Sequence, residues 1–228
     1  MFSVEKADWE KLIDSLVKQH TLYSPNVISA MRNVPRLKFL PPDKQSYAAK
    51  DSPLQIGFGQ TISAPNMVSI MNEALQLMFG HRVLEVGAGS GWHAATIAES
   101  IGSTDVPRSE WGHVYTTEIL SALAEQARKN VLNAGFGDRV TIINTDGSKG
   151  YPEKAPYDRI VVTAAAAEVP KHLFEQMKTD GLMVIPVGGT SLFQSLMRIS
   201  KASDGKLKRE NLGGVAFAPL AGEYGQSP

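Results

Sequence analysis

The stretch Val83-Leu84-Glu85-Val86-Gly87-Ala88-Gly89-Ser90-Gly91 decides the fold class of this chain. An apolar run of strand length ends at a glycine-rich turn, and a segment of helical pattern follows at 91–101. Glycine lets a ligand approach the backbone at such a turn, and the first turn of a helix offers free N–H groups. The spacing is G-x-G-x-G, which differs from the dinucleotide fingerprint, so a purely structural tight turn is an alternative at this point.

From residue 82 onward, strand-like and helix-like segments alternate. Strands are predicted at 82–86, 113–117, 139–144, 158–163 and 182–187, and helices at 91–101, 119–133 and 169–177. This alternation predicts an α/β fold with a doubly wound, Rossmann-like sheet that is mostly parallel. Segments 191–199 and 206–220, joined by a turn at 203–205, predict an antiparallel edge at the C-terminal end of the sheet.

Residues 1–80 are predicted to form a helical extension that packs on the sheet. Amphipathic patterns predict helices at 8–19, from Pro25 to Pro35 and at 65–79, with a loop at 40–56. One face of the 65–79 helix has the pattern of a core contact and carries Met67, Met71, Leu75 and Met78.

Composition excludes several classes of protein. The 228 residues include no cysteine, so disulfides, thiolate metal sites and a cysteine nucleophile are excluded. Lys plus Arg equals Asp plus Glu at 23 each, which gives no electrostatic reason to expect a nucleic-acid partner. No stretch has the ~20 apolar residues of a membrane span, and no His/Cys pattern predicts a metal site. We therefore expect a soluble intracellular protein without membrane or nucleic-acid partners.

Acidic residues close the second and third predicted strands. Glu118 ends the second strand, where doubly wound sheets use an acid to bind ribose hydroxyls. It lies 27 residues after Gly91 because 102–112 has the composition of a surface insertion. Asp146-Gly147 closes the third strand. Each acid alone also fits a solvated charge or an Asp-Gly turn, but three ligand-like groups at successive strand ends favour a nucleoside site.

The glycine stretch resembles the first motif of class I S-adenosylmethionine-dependent methyltransferases. More specifically, the chain resembles the protein-L-isoaspartate (D-aspartate) O-methyltransferase family over nearly its whole length. The most specific motif of the family is Gly57-Phe58-Gly59-Gln60-Thr61-Ile62-Ser63. Further matching segments are Val34-Pro35-Arg36, Phe39-Leu40-Pro41, Pro53-Leu54-Gln55-Ile56, Asp146-Gly147, Ala155-Pro156-Tyr157-Asp158, Val162 to Ala166, Ile185 to Gly188 and Val215 to Leu220.

The resemblance implies S-adenosyl-L-methionine as cofactor, S-adenosyl-L-homocysteine as product, and Ser63 as the active-site residue. The implied cofactor-binding residues are Gln60, Thr61, Ser63, Glu85, Gly87, Gly89, Gly91, Glu118, Asp146 and Gly147. The implied substrate-binding residues are Ile62, Ala64, Thr163, Ala164, Ala165, Ala166, Pro186, Val187 and Gly188. Chain length and the lack of a linker composition predict one domain over 1–228, with the extension at 1–80, the cofactor-binding core at 81–190 and C-terminal strands at 191–228. With the resemblance, the leading hypothesis is a monomeric cytoplasmic enzyme.

The implied reaction is methyl transfer to the free α-carboxyl of L-isoaspartyl residues in damaged proteins, with D-aspartyl residues as further substrates. A carboxylate with an ordinary pKa near ~4 is ionised at neutral pH, so no general base is needed. Orientation supplies the rate, and the Ser63 hydroxyl is expected to orient the carboxylate rather than to attack. The competing interpretation is that Ser63 only caps the 65–79 helix. Covalent catalysis is disfavoured because the chain has no G-x-S-x-G elbow.

Two departures from the family pattern leave other functions open. Ala167 stands where the family often has proline, and Ala216 where arginine is frequent. One alternative is a methyltransferase of the same fold that acts on another carboxylate or on a peptide natural product. Another is a non-catalytic cofactor-binding module, which the intact Gln60 to Ser63 motif disfavours. His93, next to the glycine loop, is interpreted as a neutral packing residue rather than a catalytic one.

Overall fold

The centre of the molecule is a seven-stranded sheet in the part of the chain that the computed structural model describes, residues 2–103, 105–189 and 193–226. A separate hairpin precedes it, formed by β1 (Leu54–Gly57) and β2 (Gln60–Ile62). The sheet strands are β3 (Arg82–Val86), β4 (His113–Glu118), β5 (Val140–Asn144), β6 (Tyr157–Val162), β7 (Met177–Val187), β8 (Gln194–Lys201) and β9 (Leu207–Val215). Their order in the sheet is β5-β4-β3-β6-β7-β8-β9.

The predicted mixture of parallel and antiparallel pairing is confirmed. Strands β5, β4, β3, β6 and β7 run parallel, whereas β8 and β9 add an antiparallel edge. The predicted strand at 191–199 is β8, and residues 191 and 192 lie outside the described residues. The parallel strands read as apolar runs because both faces of the sheet are covered.

Helices cover the sheet on both faces, as a doubly wound fold requires. They are α1 (Phe2–Lys18), α2 (Pro25–Asn33), α3 (Pro65–Ala74), α4 (Trp92–Ser100), α5 (Ser121–Ala134) and α6 (Lys171–Glu175). Apolar side chains of α4 and α5 join the same core cluster as Val83 and Val161, which point to one face of the sheet. Leu173 of α6 packs with Leu84 and Ile160 on the other face. None of these helices is long and apolar enough to span a bilayer, within the described ranges.

Strand β3 marks the point where the chain reverses its winding direction. It pairs with β4 on one side and β6 on the other, and Val86 lies beside Thr117 and Val162. In open α/β sheets, ligands bind in the crevice outside the carboxyl ends of the strands at such a point. The glycine loop 87–91 leaves β3 at this crevice.

The N-terminal extension packs over α4. Helix α2 contacts α4, and the Trp9 ring meets the Trp92 ring edge-on at 6.0 Å between centroids. The Trp9 indole N–H also donates to the Met31 carbonyl at 2.9 Å. This packing fixes the first residue of α4, which follows the glycine loop directly.

Four details of the predicted elements are wrong, the first being that the strand predicted at 206–220 is β9, which ends at Val215. The helix predicted at 65–79 ends at Ala74, and Met78 beyond it is 62% exposed instead of in the core. The predicted loop at 40–56 contains a 3-10 helix (Pro42–Tyr47) and β1. The helix predicted at 169–177 is only Lys171–Glu175, because residue 177 already pairs with Tyr157 at the start of β7.

The predicted insertion at 102–112 is a docked segment rather than a free loop, as far as it is described (residue 104 lies outside). The Trp111 indole N–H donates to the carbonyls of Ser103 and Val106 at 2.9 and 3.1 Å. The guanidinium of Arg139 stacks on the same ring at 4.5 Å from its centroid. These contacts hold the segment against the sheet end opposite to the carboxyl ends of the strands.

Candidate active site

A cleft lies at the carboxyl ends of β3, β4 and β6, where the fold predicts a ligand. Its walls come from the glycine loop, the end of β4, the β1–β2 hairpin and a C-terminal segment, 218–221. Of the residues predicted for the site, those on the walls are Gln60, Thr61, Ile62, Ser63, Gly87, Gly89, Glu118, Gly147, Thr163 and Ala164.

The glycine loop is held in a tight turn against the two neighbouring strands. The N–H groups of Gly87 and Ala88 both donate to the Thr117 carbonyl at 2.9 Å, and the Thr163 hydroxyl donates to the Gly87 carbonyl at 2.7 Å. Gly87 has φ +100, and a Cβ there would lie 2.3 Å from the Thr163 Oγ1. Glycine is therefore required at residue 87 by backbone conformation and by space.

Glu118 connects the end of β4 to this loop. Its carboxylate accepts hydrogen bonds from the N–H of Gly89 at 3.0 Å and from the N–H of Leu120 at 3.1 Å. The side chain is buried, yet it lies on the cleft wall. An acid at this strand end can accept further hydrogen bonds from ribose hydroxyls, because each carboxylate oxygen has two lone pairs.

Ser63 follows β2 on the hairpin wall and does not cap a helix. The N-cap of α3 is Ala64, and the Asn66 N–H in the first turn donates to the Asp51 carboxylate at 2.9 Å rather than to Ser63. Among the described residues, the Ser63 hydroxyl has no hydrogen-bond partner, although Ser63 lines the cleft. The capping interpretation is therefore wrong, and the hydroxyl is available to a ligand.

Glu85 and His93 form a buried pair behind the glycine loop. Glu85 Oε1 lies 3.3 Å from His93 Nδ1, and Glu85 Oε2 accepts a hydrogen bond from the Thr116 hydroxyl at 2.6 Å. Burial raises the pKa of Glu85 to about 8, and burial lowers the pKa of His93 to about 3. Both groups are therefore uncharged at neutral pH in this structure, with the Glu85 carboxyl facing the imidazole nitrogen.

The other imidazole nitrogen of His93 is also engaged. Its Nε2 lies 3.0 Å from Asn72 Oδ1, and the Asn72 amide donates to the Thr96 hydroxyl oxygen at 3.1 Å. Since Asn72 accepts at Oδ1, we assign the His93 proton to Nε2. His93 thus bridges α3 and Glu85 as a neutral hydrogen-bonding residue, in agreement with its predicted role.

Asp146 does not face the cleft, in contrast to its predicted place beside the cofactor. One carboxylate oxygen accepts from the N–H and hydroxyl of Ser148, and the other accepts from the N–H of Glu223 at 2.8 Å. The side chain therefore anchors the C-terminal segment. Its neighbour Gly147 does line the cleft, and a Cβ there would lie 2.3 Å from the Thr117 Oγ1.

Several predicted substrate contacts lie behind the wall rather than on it. The N–H groups of Ala165, Ala166 and Gly188 donate to the carbonyls of Ala218, Pro186 and Ala166, respectively. These three N–H groups therefore bond within the protein and are not free to bind a ligand. The predicted residues that the structure does not bring to the cleft wall are Ala64, Glu85, Gly91, Asp146, Ala165, Ala166, Pro186, Val187 and Gly188.

Sequence reasoning missed an apolar face of the cleft. Ile119 and Leu120 follow Glu118 and are 43% and 38% exposed, which is unusual for large aliphatic side chains next to a sheet. The available signal was two aliphatic residues between a strand-end acid and the helix start. The other lining residues that were not predicted are Val68, Val86, Ala88, Ser90, Trp92, His93, Thr117, Leu123, Ala218, Pro219, Leu220 and Ala221.

The cleft has the chemistry that an adenosyl cofactor needs. A strand-end carboxylate stands beside an apolar face, which suits a ribose next to a flat base. Glycines 87 and 147 leave no room for side chains, so the backbone itself forms the wall.

The fold and this site together are those of a methyltransferase that uses S-adenosyl-L-methionine. The family model of protein-L-isoaspartate(D-aspartate) O-methyltransferase matches residues 7–225. A protein-L-isoaspartate O-methyltransferase of Hyperthermus butylicus is 52% identical over 94% of this chain and 89% of its own length. One of Thermococcus sibiricus is 49% identical over 95% of both chains. The chain belongs to the protein-L-isoaspartate(D-aspartate) O-methyltransferase family, and the predicted resemblance is confirmed.

Solved structures agree with the fold. A structure titled protein-L-isoaspartate O-methyltransferase superposes with a TM-score of 0.82 at 30% identity, over 95% of this chain and 67% of the other. A Plasmodium falciparum structure described as a complex with S-adenosyl-L-homocysteine gives 0.79 at 24% identity, over 93% and 98%. The second comparison supports the fold alone. The predicted fold class is thereby confirmed.

Proposed function

We propose that this chain methylates the free α-carboxyl group of L-isoaspartyl residues in peptides and proteins. The observation that carries the proposal is the place of Ser63. It lies on the wall of the cleft that also holds the glycine loop and Glu118, and its hydroxyl has no partner among the described residues. Family membership over residues 7–225 supports the same reaction.

The cofactor supplies a methyl group on a sulfonium, which is already an activated electrophile. Gly87 and Gly89 form the wall for the methionine part of this cofactor, and Glu118 forms the wall for its ribose. Ser63 donates its hydroxyl hydrogen bond to the substrate carboxylate and fixes the direction of the attacking oxygen. Such positioning can supply roughly 7–11 kcal/mol of the barrier reduction.

The walls hold no group suited to act as a general base. Only His93 and Glu118 among the lining residues carry titratable side chains. The imidazole is buried between Glu85 and Asn72, and burial holds its pKa at about 3. Glu118 is hydrogen-bonded to two N–H groups of the wall. A substrate that brings its own carboxylate fits these walls, because it reacts without losing a proton.

The test uses two synthetic peptides that differ only in an isoaspartyl or an aspartyl linkage. Each is incubated with the protein and methyl-labelled S-adenosyl-L-methionine, and base-labile methanol is measured. We expect labelling of the isoaspartyl peptide alone. Equal labelling of both peptides would favour another carboxylate substrate, and cofactor binding without labelling would favour the non-catalytic module; either result overturns the proposal.

The remaining expectations from the sequence also stand as proposals. We propose that the protein acts as a monomer in the cytoplasm, without nucleic-acid partners, on D-aspartyl as well as L-isoaspartyl residues. The balance of 23 basic and 23 acidic residues supports the absence of a nucleic-acid partner. Light scattering measures the oligomeric state, and a D-aspartyl peptide in the same methanol assay measures the second activity.

A further inference from the structure

Arg36 is a fully buried guanidinium in the segment between α2 and the hairpin. Its exposed fraction is 0%, and its partners are backbone carbonyls rather than a bonded carboxylate. It donates to the carbonyls of Lys50 at 3.1 Å, Ser52 at 2.8 Å and Ile62 at 3.1 Å. The Ile62 carbonyl belongs to the peptide bond that connects Ile62 to Ser63. Arg36 therefore holds the backbone immediately before the hydroxyl that faces the cleft.

The same segment also contacts the opposite wall of the cleft. The Trp92 indole N–H donates to the Val34 carbonyl at 2.9 Å, and the Arg36 guanidinium stacks on the Trp92 ring at 5.6 Å from its centroid. Trp92 lines the cleft and is the first residue of α4, directly after the glycine loop. Residues 34–36 thus connect the hairpin wall to the glycine-loop wall.

We propose that Arg36 is a positioning residue for methyl transfer, which sets the distance and direction between the Ser63 hydroxyl and the glycine-loop wall. The inference rests on the proposed function in that Ser63 orients the substrate carboxylate. Arg36 does not itself line the cleft. It acts through the Ile62 carbonyl and the Trp92 ring, which belong to residues that do.

A planar guanidinium is suited to this role and an ammonium is not. Its N–H groups point in fixed directions, so one side chain can hold three carbonyls from two segments, 50–52 and β2, in a defined arrangement. Burial lowers the pKa of Arg36 to about 10, partly opposed by the charge of Asp51, so the side chain stays protonated at neutral pH. A lysine there keeps the charge but cannot reproduce the three directed bonds.

The chain offers a matched control in Arg159. This buried guanidinium also donates to three backbone carbonyls, those of Leu75, Gln76 and Asp158, and none of these residues lines the cleft. R36K and R159K therefore each replace a buried guanidinium that donates to three backbone carbonyls by an ammonium group. They should lower thermal stability comparably, whereas only R36K should change the cleft.

The experiment is a double-mutant cycle between Arg36 and Ser63, with kcat/KM for the isoaspartyl peptide as readout. We expect R36K to lower kcat/KM by about 10- to 100-fold, the size of effect that a misplacement of about 1 Å produces. In an S63A background the same change should lower it by less than about threefold, because the group it positions is gone. R159K should have no more than a threefold effect in either background. Equal losses from R36K in both backgrounds would overturn the proposal.

A second measurement does not depend on catalysis. Hydrogen–deuterium exchange of the variants, without substrate, should be faster for R36K across peptides that cover 60–64, and unchanged there for R159K. R36Q keeps two donors without the charge and should give an intermediate increase, which provides a second variant if R36K folds poorly. Unchanged exchange at 60–64 in both Arg36 variants would contradict the inference. If wild type fails to methylate the isoaspartyl peptide, the proposed function is lost, while this exchange pattern still tests Arg36.

Discussion

Glu118 and Gly89 are joined by a 3.0 Å hydrogen bond from the Gly89 N–H to the Glu118 carboxylate. The bond crosses from the end of β4 to the loop after β3. A buried carboxylate that accepts backbone N–H groups stabilises the conformation of those groups more strongly than a neutral acceptor does. The same side chain therefore shapes the glycine loop and forms part of the cleft wall.

Replacing Glu118 by glutamine should weaken cofactor binding. The amide keeps the shape but offers only one acceptor oxygen, so one of the bonds to Gly89 and Leu120 is lost. A hydrogen bond to a charged group contributes about 1.5–3 kcal/mol. The dissociation constant for S-adenosyl-L-homocysteine, measured by calorimetry, should therefore rise roughly 10- to 150-fold. Glu125→Gln, on the exposed surface of α5, is the control and should bind normally. Unchanged affinity of the Glu118 variant would refute the wall role.

Replacing Ser63 by alanine should separate catalysis from stability. The hydroxyl makes no hydrogen bond within the described structure, so its removal should leave Tm within about 1 °C of wild type. Loss of one hydrogen bond to a carboxylate should lower kcat/KM for the isoaspartyl peptide by roughly 10- to 100-fold. Cofactor affinity measured by calorimetry should change less. The control Ser69→Ala removes a buried bond to the Pro65 carbonyl and should do the reverse, lowering Tm with little kinetic effect.

Two glycine substitutions should separate backbone strain from a steric clash. Gly87 and Gly135 have φ +100 and +90, but a Cβ at residue 135 meets nothing within 4 Å. Gly135→Ala should therefore lose only the strain energy, about 1–2 kcal/mol of unfolding free energy. Gly87→Ala adds a contact of 2.3 Å with the Thr163 Oγ1, so it should lose more stability and should abolish cofactor binding. Equal denaturation midpoints for the two variants would contradict the clash.

The pH dependence of stability should reveal the buried Glu85 carboxyl. Burial raises its pKa from 4.5 to about 8, an effect that the Thr116 hydroxyl opposes and the charge of Glu118 reinforces. Between these two values the folded protein keeps a proton that the unfolded chain releases, so the free energy of unfolding falls as pH rises. Each pH unit in this window is worth at most about 1.4 kcal/mol.

Glu85→Gln removes this titration while keeping a group that can donate to His93 and accept from Thr116. Urea unfolding between pH 5 and 8 should therefore show the variant gaining stability relative to wild type as pH rises. His93 adds the opposite slope at lower pH, because its lowered pKa makes the folded state resist protonation below about pH 6.5. Parallel wild-type and variant curves would show that Glu85 is ionised in the folded protein.

The sheet and its glycine loop could be predicted because local pattern and global position agree there. Strands β3 and β6 are buried on both faces and read as apolar runs, and β3 is followed by a glycine while β4 ends at an acid. The short hairpin was missed because its strands have four and three residues and expose alternate side chains. The end of α3 at Ala74 was missed because the apolar period continues through Met78 although the backbone turns at Gln76, where φ is +50.

The site was predictable where a residue acts through its own position on a strand end, as Glu118 does. The site was not predictable where contacts between residues far apart in the sequence determine what a side chain binds. Asp146 carries the right residue type at the right strand end, yet the N–H of Glu223, 77 positions later, takes up its carboxylate. The role of Arg36 could not be predicted from the sequence, because it depends on hydrogen bonds to three carbonyls that only the folded chain brings together.

The C-terminal segment 218–221 forms one wall of the cleft, and residues 222–226 fasten it to Asp146, Ala165 and Gly188. Residues 60–63 form another wall of the same cleft. During synthesis on a ribosome, the parallel strands β3 to β7 therefore leave the exit tunnel before residues 218–221 can complete the cleft. Methyl-donor binding should begin only after residues 218–226 have left the exit tunnel, although the parallel strands have formed earlier.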